Sequence, residues 1–239
     1  MFAGPNGSGK STIKSLLRPE LMGVYVNPDD IEAAIRRDGT LDLAGYGVSL
    51  TTDQVRAALT GSDFLKSAGL AEACAAVGVA GGVIDFGGLA VNSYHASVLS
   101  DFLRRKLIEV GVAFSFETVM SHRDKVDLLR DARAAGYRTY LYFVVTRDPA
   151  INVRRVAARV VQGGHAVPAD KVVERYTRSL GLLSEAVSHT DRAFLFDNSG
   201  DEVRYVAEVT GGTDLVVHSA PVPDWLTTFL IDKFKPTPG

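Results

Sequence analysis

The stretch Gly4-Pro5-Asn6-Gly7-Ser8-Gly9-Lys10-Ser11 has the spacing G-x-x-x-x-G-K-[ST], a loop whose backbone N–H groups can surround phosphate oxygens. In that chemistry Gly4, Pro5, Asn6, Gly7, Ser8, Gly9, Lys10, Ser11 and Thr12 hold a nucleotide. Lys10 reaches its outer phosphates and Ser11 ligates magnesium. Three further groups follow short apolar runs: Asp29 in VNPDD, Glu117 in FSFET and Asn198 in FDNSG. A hydroxyl that accepts a phosphoryl group must lose its proton, and a carboxylate within hydrogen-bond reach is the usual base. Asp29 is the better candidate for that base. Asp30 falls on a first helical turn, where an acid also complements the helix dipole. Glu117 ends an apolar strand, where a carboxylate needs a cation, a metal-bound water or a substrate hydroxyl; a salt bridge to Arg123 is the bland alternative.

These residues need strands that end beside them. A phosphate loop requires a strand before it and a helix after it. Ser11 to Leu17 reads as the helix, but only Met1-Phe2-Ala3 is left for the strand, so we expect either a truncated first strand or a true start upstream of Met1. Val24-Tyr25-Val26 is a second strand, with Pro28 opening a helix from Ile31 to Arg37. Residues 38–93 read as an insertion rich in alanine and glycine, helical over Thr52 to Lys66 and otherwise unassigned. From Ser93 the apolar positions Tyr94, Val98, Phe102, Leu103, Leu107 and Val110 define one face of a helix stopped by Gly111. Strands follow at Ala113 to Phe116, Thr139 to Val145 and Ala193 to Phe196. Helices are expected around Val126 to Ala132, over Ala150 to Val161 and over Asp170 to Ser188, and two short strands and an amphipathic helix around Trp225 to Phe234 end the chain. Strands alternating with helices imply a parallel sheet, in which ligands collect beyond the carboxyl ends of the strands.

Composition narrows the function. The chain has 239 residues, 26 basic and 28 acidic, with a formal net charge of −2, so no global field recruits nucleic acid or an anionic membrane. One cysteine, Cys74, excludes an internal disulfide. No apolar run reaches the ~18 residues of a membrane span, and no signal peptide is visible. The reading is a soluble, cytoplasmic, single-domain protein.

Arg155 and Arg159 share a helical face, as do Lys171, Arg175 and Arg178 on the next helix, and the two faces flank Gly163-Gly164. This is the arrangement of a lid, about residues 154–178, whose arginines close over transferring phosphate. Asp85-Phe86-Gly87 and His122-Arg123-Asp124 look like protein-kinase motifs, but they stand in reversed order and a phosphate loop is foreign to that fold. The five histidines have no metal spacing, and no C-x-x-C or G-x-S-x-G is present.

Taken in order, AGPNGSGKST, VNPDDI, FSFETVMS, GYRTYLYFV, RVVQGGHAVP, ERYTRS and FDNSG resemble the zeta-toxin-like P-loop kinases, in the stand-alone branch labelled predicted ABC-type ATPases. The resemblance covers residues 2–37 and about 94–200. It implies a three-layer αβα sandwich around a mostly parallel sheet, with ATP and Mg2+ as cosubstrates. The implied reaction is phosphorylation of a UDP-activated amino sugar, UDP-N-acetylglucosamine, at a sugar hydroxyl. By motif, Lys10 matches the phosphate lysine, Asp29 the catalytic base, Glu117 a substrate-contacting acid and Arg159 a lid arginine. Asp30, Thr118, Arg175 and Arg178 join Glu117 on the substrate side, and Asn198 joins the nucleotide side. At the second lid position the toxins carry arginine where this chain has His165. The resemblance does not extend to toxicity or to an antitoxin partner. Two other readings stand beside it: a nucleotide-gated ATPase module that drives a partner, and a nucleotide or RNA-end kinase using Arg154, Arg155, Arg159, Arg175 and Arg178. The strand over Thr139 to Val145 ends in Thr146-Arg147 rather than in a Walker B aspartate, which favours the small-molecule kinase.

Overall fold

A computed structural model describes residues 1–162 and 166–234. In chain order the elements are β1 (Phe2–Ala3), α1 (Lys10–Leu16), β2 (Val24–Tyr25), α2 (Pro28–Asp38), β3 (Thr40–Asp42), α3 (Thr52–Thr60), α4 (Asp63–Ser67), β4 (Gly78–Ala80), β5 (Val83–Asp85) and α5 (Ser93–Val110). There follow β6 (Phe114–Ser115), β7 (Glu117–Thr118), α6 (Asp124–Ala134), β8 (Tyr140–Val145), α7 (Pro149–Val161), α8 (Ala169–Gly181), α9 (Leu183–Ser188), β9 (Arg192–Asp197), β10 (Arg204–Thr210) and β11 (Asp214–Val217). The chain then closes with three short helical segments, Asp224–Leu226, Thr227–Ile231 and Asp232–Phe234, of which the middle one is a π turn. Contacts divide the chain into two compact units: Met1–Arg18 with Glu117–Gly239, and Pro19–Phe116.

The first unit holds a six-stranded sheet in the order β11-β10-β9-β8-β1-β7. Strands β7, β1, β8 and β9 run parallel, while β10 and β11 add an antiparallel edge. With helices flanking it, this is the α/β, mostly parallel P-loop architecture expected from the alternation of elements. Strand β1 has only two residues, yet Phe2 pairs with Tyr142 on one side and Glu117 on the other. Both its residues are buried, because every lateral position is taken by a neighbouring strand. Strand β8 is the apolar run at the centre, with Leu141, Phe143, Val144 and Val145 fully buried. The helix expected over residues 170–188 is two helices, since α8 ends at Gly181 and α9 starts at Leu183.

In the second unit β2 and β6 form a parallel pair, and the segment the sequence left unassigned supplies an antiparallel sheet in the order β3-β5-β4. The helix expected over Thr52 to Lys66 breaks at Gly61-Ser62, because the Ser62 hydroxyl accepts from the Leu65 N–H and caps a new helix, α4. The buried face of α5 also differs from the expected one. Leu103 and Leu107 are buried, but the face continues through His95, Ala96, Leu99, Ser100 and Arg104, leaving Tyr94 and Val110 exposed. Arg104 can lie on that face because its guanidinium stacks 4.7 Å from the Phe116 ring centroid and pairs with Asp101.

Candidate functional site

The glycine-rich loop joins β1 to α1, and three of its glycines adopt positive φ: 142° at Gly4, 74° at Gly7 and 93° at Gly9. Each also lies against a different element. A Cβ on Gly4 would come within 2.0 Å of the Val144 carbonyl on β8, one on Gly7 within 2.7 Å of the Asn152 carbonyl on α7, and one on Gly9 within 2.1 Å of the Asn198 amide after β9. Gly9 is the N-cap of α1, so no side chain caps the helix and no acid occupies its first turn. Its N-terminal N–H groups are therefore offered to an anion.

Polar struts hold this shape. Asn152, fully buried, donates its amide to the Asn6 carbonyl at 2.6 Å and accepts a short bond from the Thr146 hydroxyl. The Tyr176 hydroxyl donates to the Thr146 carbonyl at 2.6 Å, and burial, helped by the Asp148 and Asp197 charges, pushes its pKa up to about 12. On the other flank Asn198 donates to the Ser8 carbonyl at 2.8 Å, while its own carbonyl accepts from Arg155 at 2.8 Å. The Asn6 Oδ1 and Ser8 Oγ atoms are buried without a hydrogen-bond partner among the described residues.

The Lys10 ammonium rests on the loop itself, donating to the carbonyls of Gly4 at 2.8 Å and Pro5 at 3.2 Å. Burial draws its pKa down to about 8, with the Arg159 charge acting in the same direction and Glu117 opposing. Glu117, on β7, pairs with Lys14 at 2.9 Å, one helical turn beyond Lys10. Arg123, weighed as its partner from the sequence, pairs with Glu185 instead, because α9 rather than β7 lies within its reach. Thr118 accepts from the Gly4 N–H at 3.2 Å through its carbonyl and from the Met120 N–H at 2.9 Å through its hydroxyl, fixing a turn in which Met120 has φ 53°. Ser11 and Thr12 are exposed at the start of α1.

The structure thus brings together the loop residues, Lys10, Glu117, Thr118, Asn198 and Arg159. Arg155, grouped from the sequence with the lid arginines, instead ties the chain after β9, since its second nitrogen donates to the Gly200 carbonyl. On α8, Glu174 pairs with Arg178 at 2.6 Å and with Lys171 at 2.9 Å, and the Arg175 charge helps to hold its carboxyl low. Gly163, Gly164 and His165 lie outside the described residues.

Asp29 and Asp30 belong to the second unit, in the first turn of α2, with Pro28 as the first helical residue. Asn27 caps the helix by accepting from the Asp29 N–H at 3.0 Å. Both carboxylates are exposed, and the Asp30 charge adds to burial in pushing the Tyr46 phenol up. Sequence reasoning missed Asn27, Asn152 and Lys14. The first two carried a signal: Asn27 stands before a proline-opened helix, and Asn152 is a lone amide between the buried Ile151 and Val156.

The family model described as Zeta toxin matches residues 90–209. An uncharacterized protein of Haemophilus influenzae is 23% identical over 175 residues, spanning 73% of this chain and 89% of its own length. Three crystal structures of AvrRxo1-ORF1 with its companion ORF2 are similar in fold at 17% identity and a TM-score of 0.51: with ATP, with sulphate ions, and native. The alignments cover 91%, 92% and 95% of this chain but only 60%, 60% and 64% of those proteins.

Proposed function

This chain belongs to the zeta toxin family, and from that premise we propose that it is an ATP-dependent kinase that transfers the γ-phosphoryl group to a hydroxyl of a small molecule, a UDP-activated amino sugar such as UDP-N-acetylglucosamine. The observation that carries the proposal is the seat of Lys10. A cation held on the carbonyls of Gly4 and Pro5, at the mouth of an uncapped helix, is poised to exchange those carbonyls for phosphate oxygens. The residues present fit a nucleotide: the loop turns through three glycines of positive φ onto the uncapped start of α1, and Asn6 Oδ1 and Ser8 Oγ keep hydrogen-bonding capacity. They also fit Mg2+, which needs few protein ligands when phosphate and water supply the rest, here the exposed Ser11 hydroxyl. When bound, the metal would neutralise charge on the phosphates.

In this reading Lys10 and Arg159 stabilise the charge that builds on the transferring group. Glu117, paired with Lys14, and Thr118 orient the acceptor, with Asp30, Arg175 and Arg178 on the substrate side. Asp29 takes the acceptor's proton, and His165 stands at the second lid position. A protein partner is proposed only by analogy with the two-protein complexes of the similar structures.

The test is phosphotransfer from ATP and Mg2+, read by mass spectrometry, onto UDP-N-acetylglucosamine and a panel of hydroxyl metabolites. A phosphorylated UDP-sugar that disappears with Asp29→Asn and with Lys10→Ala is the expected result. ATP hydrolysis without any acceptor, unchanged by Asp29→Asn, would replace the kinase with a nucleotide-gated module.

A further inference from the structure

The last helical segments, Asp224 to Phe234, lie beyond residues 90–209, the stretch matched to the family, yet a buried bond ties them to the phosphate loop. The Trp225 indole N–H donates to Asp197 Oδ2 at 2.8 Å, with Trp225 4% and Asp197 2% exposed. The other oxygen of Asp197 accepts from the Ser199 N–H at 2.9 Å. Between them, Asn198 carries the Ser8 carbonyl on its amide and the Arg155 guanidinium on its carbonyl. The turn after β9 is thus clamped on three sides, and one clamp is the only tryptophan of the chain.

We propose that Trp225 is a positioning residue for the phosphate loop, acting through Asp197 and the Asn198 turn. A buried carboxylate oxygen deprived of its donor is expensive, and the cheapest relief is a rotation of Asp197 that carries residues 198–200 with it. That rotation would withdraw the Asn198 amide from Ser8, against which Gly9 has no slack. The inference rests on the reading of the loop as a nucleotide site only for its effect on affinity.

The experiment compares Trp225→Phe, which keeps the aromatic bulk but loses the N–H, with Leu230→Ala, which removes fully buried packing from the same segment. Hydrogen exchange is followed over residues 4–12 and 196–201, and MgATP affinity is measured alongside. Trp225→Phe is expected to speed exchange of both stretches without changing β8, and to weaken MgATP about ten-fold, the order of one charge-assisted hydrogen bond. Leu230→Ala is expected to melt earlier but to match the wild type in both readouts below its transition. Unchanged loop exchange in Trp225→Phe, or equal acceleration in Leu230→Ala, overturns the proposal. Should Trp225→Phe not fold, Asp197→Asn carries the same comparison. A wild type that binds no MgATP refutes the nucleotide reading, while loop exchange still decides the role of Trp225.

Discussion

Replacing Lys10 with Met should flatten the alkaline limb of the stability curve. In the fold the Lys10 ammonium has a pKa of about 8, against 10.5 when free in water, so the unfolded chain binds more protons throughout that window. For a base with a lowered folded pKa, stability rises with pH between the two values, and below the lower one the cost of burying the charge is fully present. That cost is at most about 3 kcal/mol, and from pH 7 to pH 9.5 about 2 kcal/mol of it is relieved. The window stops at 9.5 because the phenols of Tyr142, Tyr176 and Tyr205, raised in the fold mainly by burial, act with the opposite sign above pH 10. Met keeps the length of the stem and cannot titrate. Urea denaturation of wild type and Lys10→Met at pH 7, 8, 9 and 9.5 should give curves that diverge at neutral pH and converge by about 2 kcal/mol as pH rises. Saturating nucleotide should abolish that convergence, because phosphate oxygens replace carbonyls as partners and restore the charged form. Parallel curves for the two proteins would show that Lys10 carries no burial cost, and the account of its seat would be wrong.

Three further substitutions probe the loop. Gly9→Ala places a methyl group 2.1 Å from the Asn198 amide at a φ of 93°, so it should destabilise the first unit by about 2 kcal/mol or more and abolish MgATP binding in a thermal-shift titration. Asn152→Ala removes the bonds to Asn6 and Thr146 and should cost about 2–3 kcal/mol in chemical denaturation, while Asn152→Asp, which keeps only the acceptor, should still lose the bond to the Asn6 carbonyl and weaken nucleotide binding.

The loop was legible in the sequence because it is local: its glycines, Lys10 and Ser11 are read from adjacent positions, and the spacing alone demands the strand and helix on either side. The apolar runs of β8 and β9 were legible for the same reason. The struts were not, since Asn152 meets Asn6 and Asn198 meets Ser8 across most of the chain, and no period in the sequence records such a meeting. Within residues 38–93 each strand has three residues, too few for alternation to appear, so the antiparallel sheet left no trace. The α5 face was misassigned because His95 and Arg104 interrupt the apolar pattern at positions that are in fact buried. Lys14 was passed over as an ordinary surface lysine, and only the position of β7 beside β1 reveals its partner.

The three loop glycines have a consequence for how such a site can change. Each is the imprint of a different neighbour, namely a carbonyl of β8, a carbonyl of α7 and the amide that follows β9. The conformation is thereby over-determined from outside, and the loop has little freedom to be retuned by changes within itself. Adaptation to a new ligand would have to proceed through the seats: in a saturation library, tolerated changes at residues 4–9 should be few, and those that survive should be paired with compensating changes at Val144, Asn152 or Asn198. What reads along the chain as a short portable motif is, in space, the joint property of three distant segments.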